Sequence, residues 1–587
     1  MKNKAIPIEM LSAIKKISVF SWSADNSSIY FLSDINGNWD IWEISLHQGY
    51  PRQVTAFCGN VVNFKLSPDG EKIAFLSERG KSEKYELFVT SSIGRETEEL
   101  PASSIELADL DWSPGSDGIV YISKVNKKYN INIISLSTGK VEEITETPEL
   151  KRDPRWSPDG KHIAYFSMRG NKEGDIVVVS IANKKILHLT EKLKGVNSYP
   201  RWSPDGKKIV FISDGKGIKK SGLISFPEGQ ITWLSSGKYE ENLPEWSPQG
   251  EDILYIVNRE GNMDLMIYNL SSQKTEKVGF PEGVTSNARW SPDGKAIAFR
   301  YHSSRIAPEI FIYREKKIKQ ITHSTTAGID EKDLSDSELI FYPSSDNTKI
   351  SAFLYKPPGK GPYPCLLWLH GGPAHQHFNG WNPFIQIMVS RGFIVLAPNI
   401  RGSTGKGRDY ENALYRDWGG VDLQDVLFAG KYLQNLDFIE KKKIFIGGAS
   451  YGGYITMMAM VKYPNMWAGG INAVGPVNLE TFYKNTTAWM KALLIDKYGF
   501  KEPEEDKKFY YERSPINFVE NLKAPLLLIY NEEDVRVPKD EMDQLINKLK
   551  KYDKEFDVLV FSKEGHTSLK PESEVRRYKV MAKFLIK

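Results

Sequence analysis

The phrase "PRWSPDGK" occurs twice in the chain, letter for letter, at Pro154–Lys161 and Pro200–Lys207. Variants of it surround Ser23, Ser67, Ser113, Ser247 and Ser291, making seven copies with Ser157 and Ser203. Successive serines lie 44, 46, 44, 46, 44 and 44 residues apart. A period this regular settles the fold class of its stretch before any single residue is weighed. Ser-Pro-Asp-Gly is a tight turn, because proline presets φ, aspartate bonds nearby backbone and glycine accepts positive φ. A β-rich run follows each copy, such as "KHIAYFS" or "KKIVFIS". A second strand and a short third one come next, the last ending near a threonine in "PRQVT", "VEEIT", "ILHLT" and "IKQIT". With the strand entering the turn, each unit has four strands, which is what a propeller blade needs. The spacing predicts a seven-bladed β-propeller over 17–323. The tryptophans before the serines (Trp22, Trp112, Trp156, Trp202, Trp246, Trp290) are expected to pack between blades rather than to bind ligand.

Beyond "IKQIT" the period stops. Short buried strands ("PCLLWLHGGP", "GFIVLAPNIRG", "KKIFIGGASYGGY", "APLLLIYNEED", "FDVLVFSKEGH") alternate with helical stretches, the pattern of an α/β sheet covered on both faces. A chain of 587 residues is too long for one core. It divides into an extension at 1–16, expected to pack on the α/β domain or a partner subunit, the propeller at 17–323, and an α/β-hydrolase domain at 324–587. The 78 basic and 74 acidic residues leave a net charge of +4, no footprint for nucleic acid or an anionic membrane. Cys58 and Cys365, the two cysteines, exclude a disulfide framework. With no apolar run of spanning length and no signal-peptide pattern, a cytoplasmic location is expected.

Chemistry is written at the strand ends. "GGASYGGY" places Ser450 in Gly448-x-Ser-x-Gly452, between a strand and a helical run, where a sharp turn holds a nucleophile exposed. A serine needs a base, and the base an orienting carboxylate, in the chain order Ser, Asp or Glu, His. His566 is the only histidine after Ser450, and "NEEDVRVP" offers Glu532, Glu533 and Asp534. "HGGP" at His370–Pro373 supplies an oxyanion N–H from Gly371 or Gly372, with the N–H of Tyr451 as the second donor. His370, His375 and His377 have no companion carboxylates or cysteines, so no metal is expected there, and His370 is read as pinning the loop.

Taken together, the WSPDG propeller, "HGGP", "RGSTG", "GASYGGY", "DVRVP" and "GH" resemble the prolyl oligopeptidase group of serine peptidases, and within it the acylaminoacyl peptidases. The resemblance covers nearly the whole chain. It implies that Asp534, in D-x-R-V-P, is the acid. It also implies release of N-acylated residues from short peptides, a propeller that excludes folded proteins, homo-oligomers, and no cofactor. Where relatives carry an arginine for the peptide carboxylate, the matching stretch "TTAWMKALL" offers Lys491, a point charge without the bidentate fork. Phe482, Tyr483, Trp489, Met490 and Lys491 are expected to line the specificity pocket, against the alternative that the helix buries them on its own sheet. A dipeptidyl peptidase of the same family would need paired acids for a free α-amine. The adjacent pairs Glu98-Glu99, Glu142-Glu143 and Glu240-Glu241 are read as solvated surface. A carboxylesterase with incidental peptidase activity is a third reading, and a propeller serving as a protein-binding platform beside an inert α/β domain is a fourth, which the intact set of Ser450, Asp534 and His566 argues against.

Overall fold

Every sequence repeat becomes one four-stranded antiparallel sheet in the computed structural model. The structure describes residues 5–47, 49–56, 59–78, 84–102, 104–126, 128–169, 173–235, 237–325, 328–566 and 570–587; Cys58 lies outside them. The first blade runs Ile17–Trp22, Ser28–Ser33, Asp40–Ser45 and Arg52–Gln53, and the seventh ends at Lys317–Gln320. The last two blades are joined by a single parallel bridge, Met263 to Val284. Two units separate by their contacts: Lys15–His302 with Ala307–Ser324, and Met1–Ile14 and Ser303–Ile306 with Thr325–Lys587.

In the propeller the turn chemistry is local. The Ser157 hydroxyl donates to Asp159 Oδ1 at 2.6 Å and accepts the His162 N–H at 2.9 Å. Gly160 takes φ 71° at the same turn, the left-handed region that a side chain disfavours. Ser67 with Asp69, Ser203 with Asp205 and Ser291 with Asp293 repeat the bond. Trp22, Trp112, Trp156, Trp202 and Trp246 pack between blades, and four of these indoles add a directional link, whereas the Trp156 and Trp290 N–H groups find no partner among the described residues. Trp112 donates to the Lys65 carbonyl (2.9 Å), Trp202 to Arg155 (3.2 Å) and Trp246 to Arg201 (3.0 Å). Trp22 donates to Arg289 at 3.2 Å, which joins the first blade to the seventh and closes the ring.

The threonines that end four of the short outer strands, Thr55, Thr145, Thr190 and Thr322, also have a task, each hydroxyl accepting a backbone N–H of the neighbouring strand. Thr55 and Thr322 hydroxyls accept the Ile41 and Ile310 N–H groups and donate to Asp40 and Glu309. A cavity of about 530 Å³ lined by all seven blades marks the ring axis. Asp111, Arg155, Arg201, Glu245 and Arg289 line it and belong to a run of alternating charge: Lys65–Asp111 (2.7 Å), Asp111–Arg155 (3.8 Å), Asp153–Arg201 (2.6 Å), Arg201–Glu245 (3.2 Å) and Glu245–Arg289 (2.8 Å). Arg155 pairs with Asp153 to join the two halves of that chain.

Glu240 and Glu241 correct the sequence reading, because both are buried. Glu241 accepts the Ser221 N–H at 2.9 Å, the Lys220 ammonium at 3.3 Å and the Ser235 hydroxyl. Glu98-Glu99 and Glu142-Glu143 sit on exposed outer strands, as expected.

The second unit holds an eight-stranded sheet: β1 (Ser337–Pro343), β2 (Lys349–Tyr355), β3 (Tyr363–Leu369), β4 (Ile394–Asn399), β5 (Ile439–Ala449), β6 (Gly469–Ala473), β7 (Leu526–Asn531) and β8 (Phe556–Phe561). Its order is β1-β2-β4-β3-β5-β6-β7-β8, antiparallel at β1–β2 and β2–β4 and parallel from there. The fold is thus a seven-bladed propeller plus an α/β-hydrolase. β6 and β7 are buried along their whole length, which is why they read as unbroken apolar runs. Each fully buried Leu or Ile there contributes about 1.5–3 kcal/mol. Helix α1 (Ile8–Ser12) belongs to this unit, burying Ile8 and Leu11, and the Arg391 guanidinium donates to the Ile6 carbonyl at 3.2 Å. Among the described residues no helix is long and apolar enough to cross a membrane, and no cluster of three metal-ligating side chains occurs.

Candidate active site

The end of β5 and the start of helix α4 (Tyr451–Lys462) meet at Ser450, which stands at φ 56°, ψ −120°. A non-glycine residue in that region carries strain, of order 1–3 kcal/mol. Its backbone is held on both sides: its N–H donates to Ala473 at 2.8 Å, and its carbonyl accepts Gly453 and Tyr454 N–H groups at 2.9 and 3.0 Å. The two flanking glycines are needed for space. A Cβ on Gly452 would stand 2.3 Å from the Leu369 carbonyl oxygen, and one on Gly448 2.6 Å from the Gly452 backbone.

Ser450 Oγ lies 3.0 Å from His566 Nε2, and His566 Nδ1 lies 2.6 Å from Asp534 Oδ2. The neutral ring carries its proton on Nδ1, donated to the carboxylate, and Nε2 accepts from the serine hydroxyl. Asp534 is buried, and its other oxygen accepts the Arg536 and Val537 N–H groups, each at 2.9 Å. Glu532 and Glu533 are exposed beside it, so the loop after β7 delivers only the third of the three carboxylates inward. Asn531, at the end of β7, donates to the Gly565 carbonyl at 2.6 Å and so steadies the loop that presents His566. No sequence motif pointed to it.

On the opposite side, Gly371 comes close to the nucleophile: a Cβ there would be 3.5 Å from that of Ser450. Gly372 follows at φ 120°. His370 grips this loop through Nδ1, 2.7 Å from the Gly371 carbonyl, while its Nε2 lies 2.8 Å from the Ser403 hydroxyl. Burial keeps the ring neutral, its pKa pushed down to about 4. Tyr451 opens α4, so no carbonyl within the helix takes its N–H. That leaves a donor beside Ser450 for a developing oxyanion. The Tyr451 hydroxyl donates to the buried carboxyl of Asp422, on helix α3 (Val421–Gln434), a contact sequence reasoning did not foresee. Burial pushes that carboxyl up to about 7.

The expected pocket residues divide. Phe482 and Tyr483, on Leu479–Asn485, are buried in the hydrolase core rather than turned to an opening, because that short helix packs them inward. Trp489, Met490 and Lys491, on Ala488–Asp496, are half-buried. Lys491 lies 3.6 Å from Glu502 and over the Tyr483 ring, so its charge is already met. The Arg536 guanidinium stacks over Trp489 at 5.0 Å, tying this segment to the loop that carries Asp534.

Comparison with known proteins places these features. Residues 376–587 match the prolyl oligopeptidase family, and residues 71–242 the TolB beta propeller domain. Dipeptidyl aminopeptidase BIII of Pseudoxanthomonas mexicana is 29% identical over 51% of this chain, and the match spans 45% of that relative's length. A puromycin-hydrolyzing peptidase of Mycobacterium tuberculosis superposes with a TM-score of 0.89 at 17% identity, over 99% of this chain and 96% of that one. The acylaminoacyl peptidase of Pyrococcus horikoshii superposes with a TM-score of 0.76 at 19% identity, over 100% and 97%. At such identities the two structures speak for the fold.

Proposed function

We propose, from the match of residues 376–587 to the prolyl oligopeptidase family, that the chain is a serine peptidase releasing N-acylated amino acids from short peptides. One observation carries the hydrolytic part: Ser450, His566 and Asp534, brought from three strand ends, are linked by contacts of 3.0 and 2.6 Å.

In this reading the Ser450 oxygen attacks the scissile carbonyl while His566 Nε2 takes its proton. Asp534 holds the imidazole in the productive tautomer and offsets the charge that the ring acquires. The carbonyl oxygen becomes an oxyanion that receives N–H groups of Tyr451 and of Gly371 or Gly372. Collapse expels the amine, which takes the proton back from His566 and leaves the acyl group as an ester on Ser450. Water, deprotonated by His566, then hydrolyses the ester and restores the enzyme.

The preference for a blocked N-terminus has its own support. A free α-amine calls for uncommitted carboxylates. Of the adjacent acidic pairs, Glu241 has both oxygens engaged by Ser221, Lys220 and Ser235, which withdraws it from that task. Dipeptidyl release is the second reading, favoured by the name of the relative from Pseudoxanthomonas mexicana. Hydrolysis of acetyl-aminoacyl anilides, free-amine dipeptidyl anilides and short-chain esters, with Ser450→Ala as control, separates these readings. The proposal expects the highest kcat/KM on the acetylated anilides. A clear preference for the free amine would replace it with dipeptidyl release, and one for the esters with a carboxylesterase.

A further inference from the structure

Asp422 is an aspartate with 0% exposure, and among the described residues no lysine or arginine pairs with it. Burying a carboxyl is costly unless its hydrogen bonds are met. Its bonds are few and specific. Oδ1 accepts the Leu423 N–H at 2.8 Å. Oδ2 accepts the Gly419 N–H at 3.2 Å and the hydroxyl of Tyr451, its one side-chain partner among the described residues. The nearby guanidinium of Arg513 bonds instead to Asp417, at 2.8 Å. The carboxyl's contact outside its own turn is therefore with the residue that follows the nucleophile.

The Tyr451 ring has little freedom left. It is buried, meets Trp418 edge-on at 4.8 Å and lies 5.5 Å from the Tyr454 ring. Trp418 is itself wedged against Tyr498 and Phe500. With the ring held between Trp418 and Tyr454 and its hydroxyl anchored at the tip, the side chain fixes the Tyr451 Cα. That in turn constrains the Ser450–Tyr451 peptide plane, whose N–H must face the oxyanion.

We propose that Asp422 is a positioning residue for the oxyanion hole, acting through the Tyr451 hydroxyl on the orientation of the Tyr451 N–H. It rests on the serine-peptidase reading above. An oxyanion forms only on the way through the transition state, so an interaction that aims its donor acts on kcat and leaves ground-state binding alone.

The test uses Tyr451→Phe and Asp422→Asn in the full chain. Tyr451→Phe removes the anchored hydroxyl without changing the ring. Asp422→Asn turns one acceptor oxygen into a donor. Each is expected to lower kcat by roughly 10- to 100-fold with KM changed less than threefold. The affinity for a peptidyl trifluoromethyl ketone, whose adduct on Ser450 bears the oxyanion, is expected to fall by a similar factor. The double variant is expected to lose no more than the worse single one, since both act through one bond. Should Asp422→Asn not fold, Tyr451→Phe carries the test alone. Folded variants with wild-type kcat and ketone affinity, or a loss confined to KM, overturn the proposal. Failure of the underlying reading looks different: the wild type itself would neither turn over the substrates nor be labelled at Ser450 by a fluorophosphonate.

Discussion

The chain uses serine in two kinds of tight turn, and the contrast between them separates scaffold from chemistry. In the propeller, the Ser157 hydroxyl is spent two residues away, on Asp159, and the arrangement recurs around the ring. In the hydrolase unit, the Ser450 hydroxyl points at His566, 116 residues on, and its carboxylate partner comes from a third strand end. In the first kind of turn the glycine is the residue at positive φ; in the second it is the serine itself. A locally satisfied hydroxyl stabilises a turn. One satisfied only by distant residues is available for reaction.

The sharpest way to test that contrast is to delete each hydroxyl. Ser450→Ala is expected to lower kcat by roughly 10⁴-fold or more while the fold persists. Asp534→Asn should come next, with a loss of about 10⁴ in kcat, because the imidazole then settles in the wrong tautomer. Steady-state kinetics beside circular dichroism reads both.

Glycine substitutions probe the same comparison through space rather than hydrogen bonds. Gly452→Ala drives a methyl against the Leu369 carbonyl at 2.3 Å, and a loss of at least 1–3 kcal/mol is expected in chemical denaturation. Gly160→Ala meets nothing nearer than 3.9 Å and strains only φ, for about 1–2 kcal/mol.

Asp422 gives the pH arm. Its carboxyl titrates near 7 in the fold, against an ordinary value of 3.8, with burial as the main cause. Between those values the unfolded chain has released the proton and the folded one retains it. Stability therefore falls as pH rises through this window, by on the order of 4 kcal/mol. Asp422→Asn abolishes that term, so its stability relative to the wild type should improve between pH 5 and 8. A constant difference across that range would count against a buried protonated acid. The smallest effect belongs to Ser203→Ala, which breaks the bonds to Asp205 and to the Lys208 N–H. It should cost about 1 kcal/mol and leave kcat untouched.

Both domains were legible in the sequence because their signals are periodic or local. The blade spacing, the turn residues and the glycines around Ser450 can each be read within a few dozen letters. Adjacent carboxylates were not separable that way. Glu532, Glu533 and Asp534 differ only in where a loop turns them, and the resemblance, not the spacing, pointed to Asp534. Asp422 and Asn531 left no mark, since one buried polar residue in a helix or at a strand end has no pattern. Glu240-Glu241 was misread because charge alone suggests solvent, whereas Lys220 and Ser221 from the neighbouring blade accommodate Glu241 inside. Phe482 and Tyr483 show the converse: aromatic residues near a nucleophile can simply be core. The threonines ending the outer strands were visible as letters, but their bonds to Asp40 and Glu309 needed the register to appear.

The backbone at Ser450 has one more consequence. At φ 56° and ψ −120° glycine alone is at ease, so natural selection for thermal robustness, acting by itself, would erase the nucleophile. Ser450→Gly should melt at a higher temperature than the wild type. At this position heat resistance and turnover are rivals, and the serine persists only where a lineage is held to its reaction.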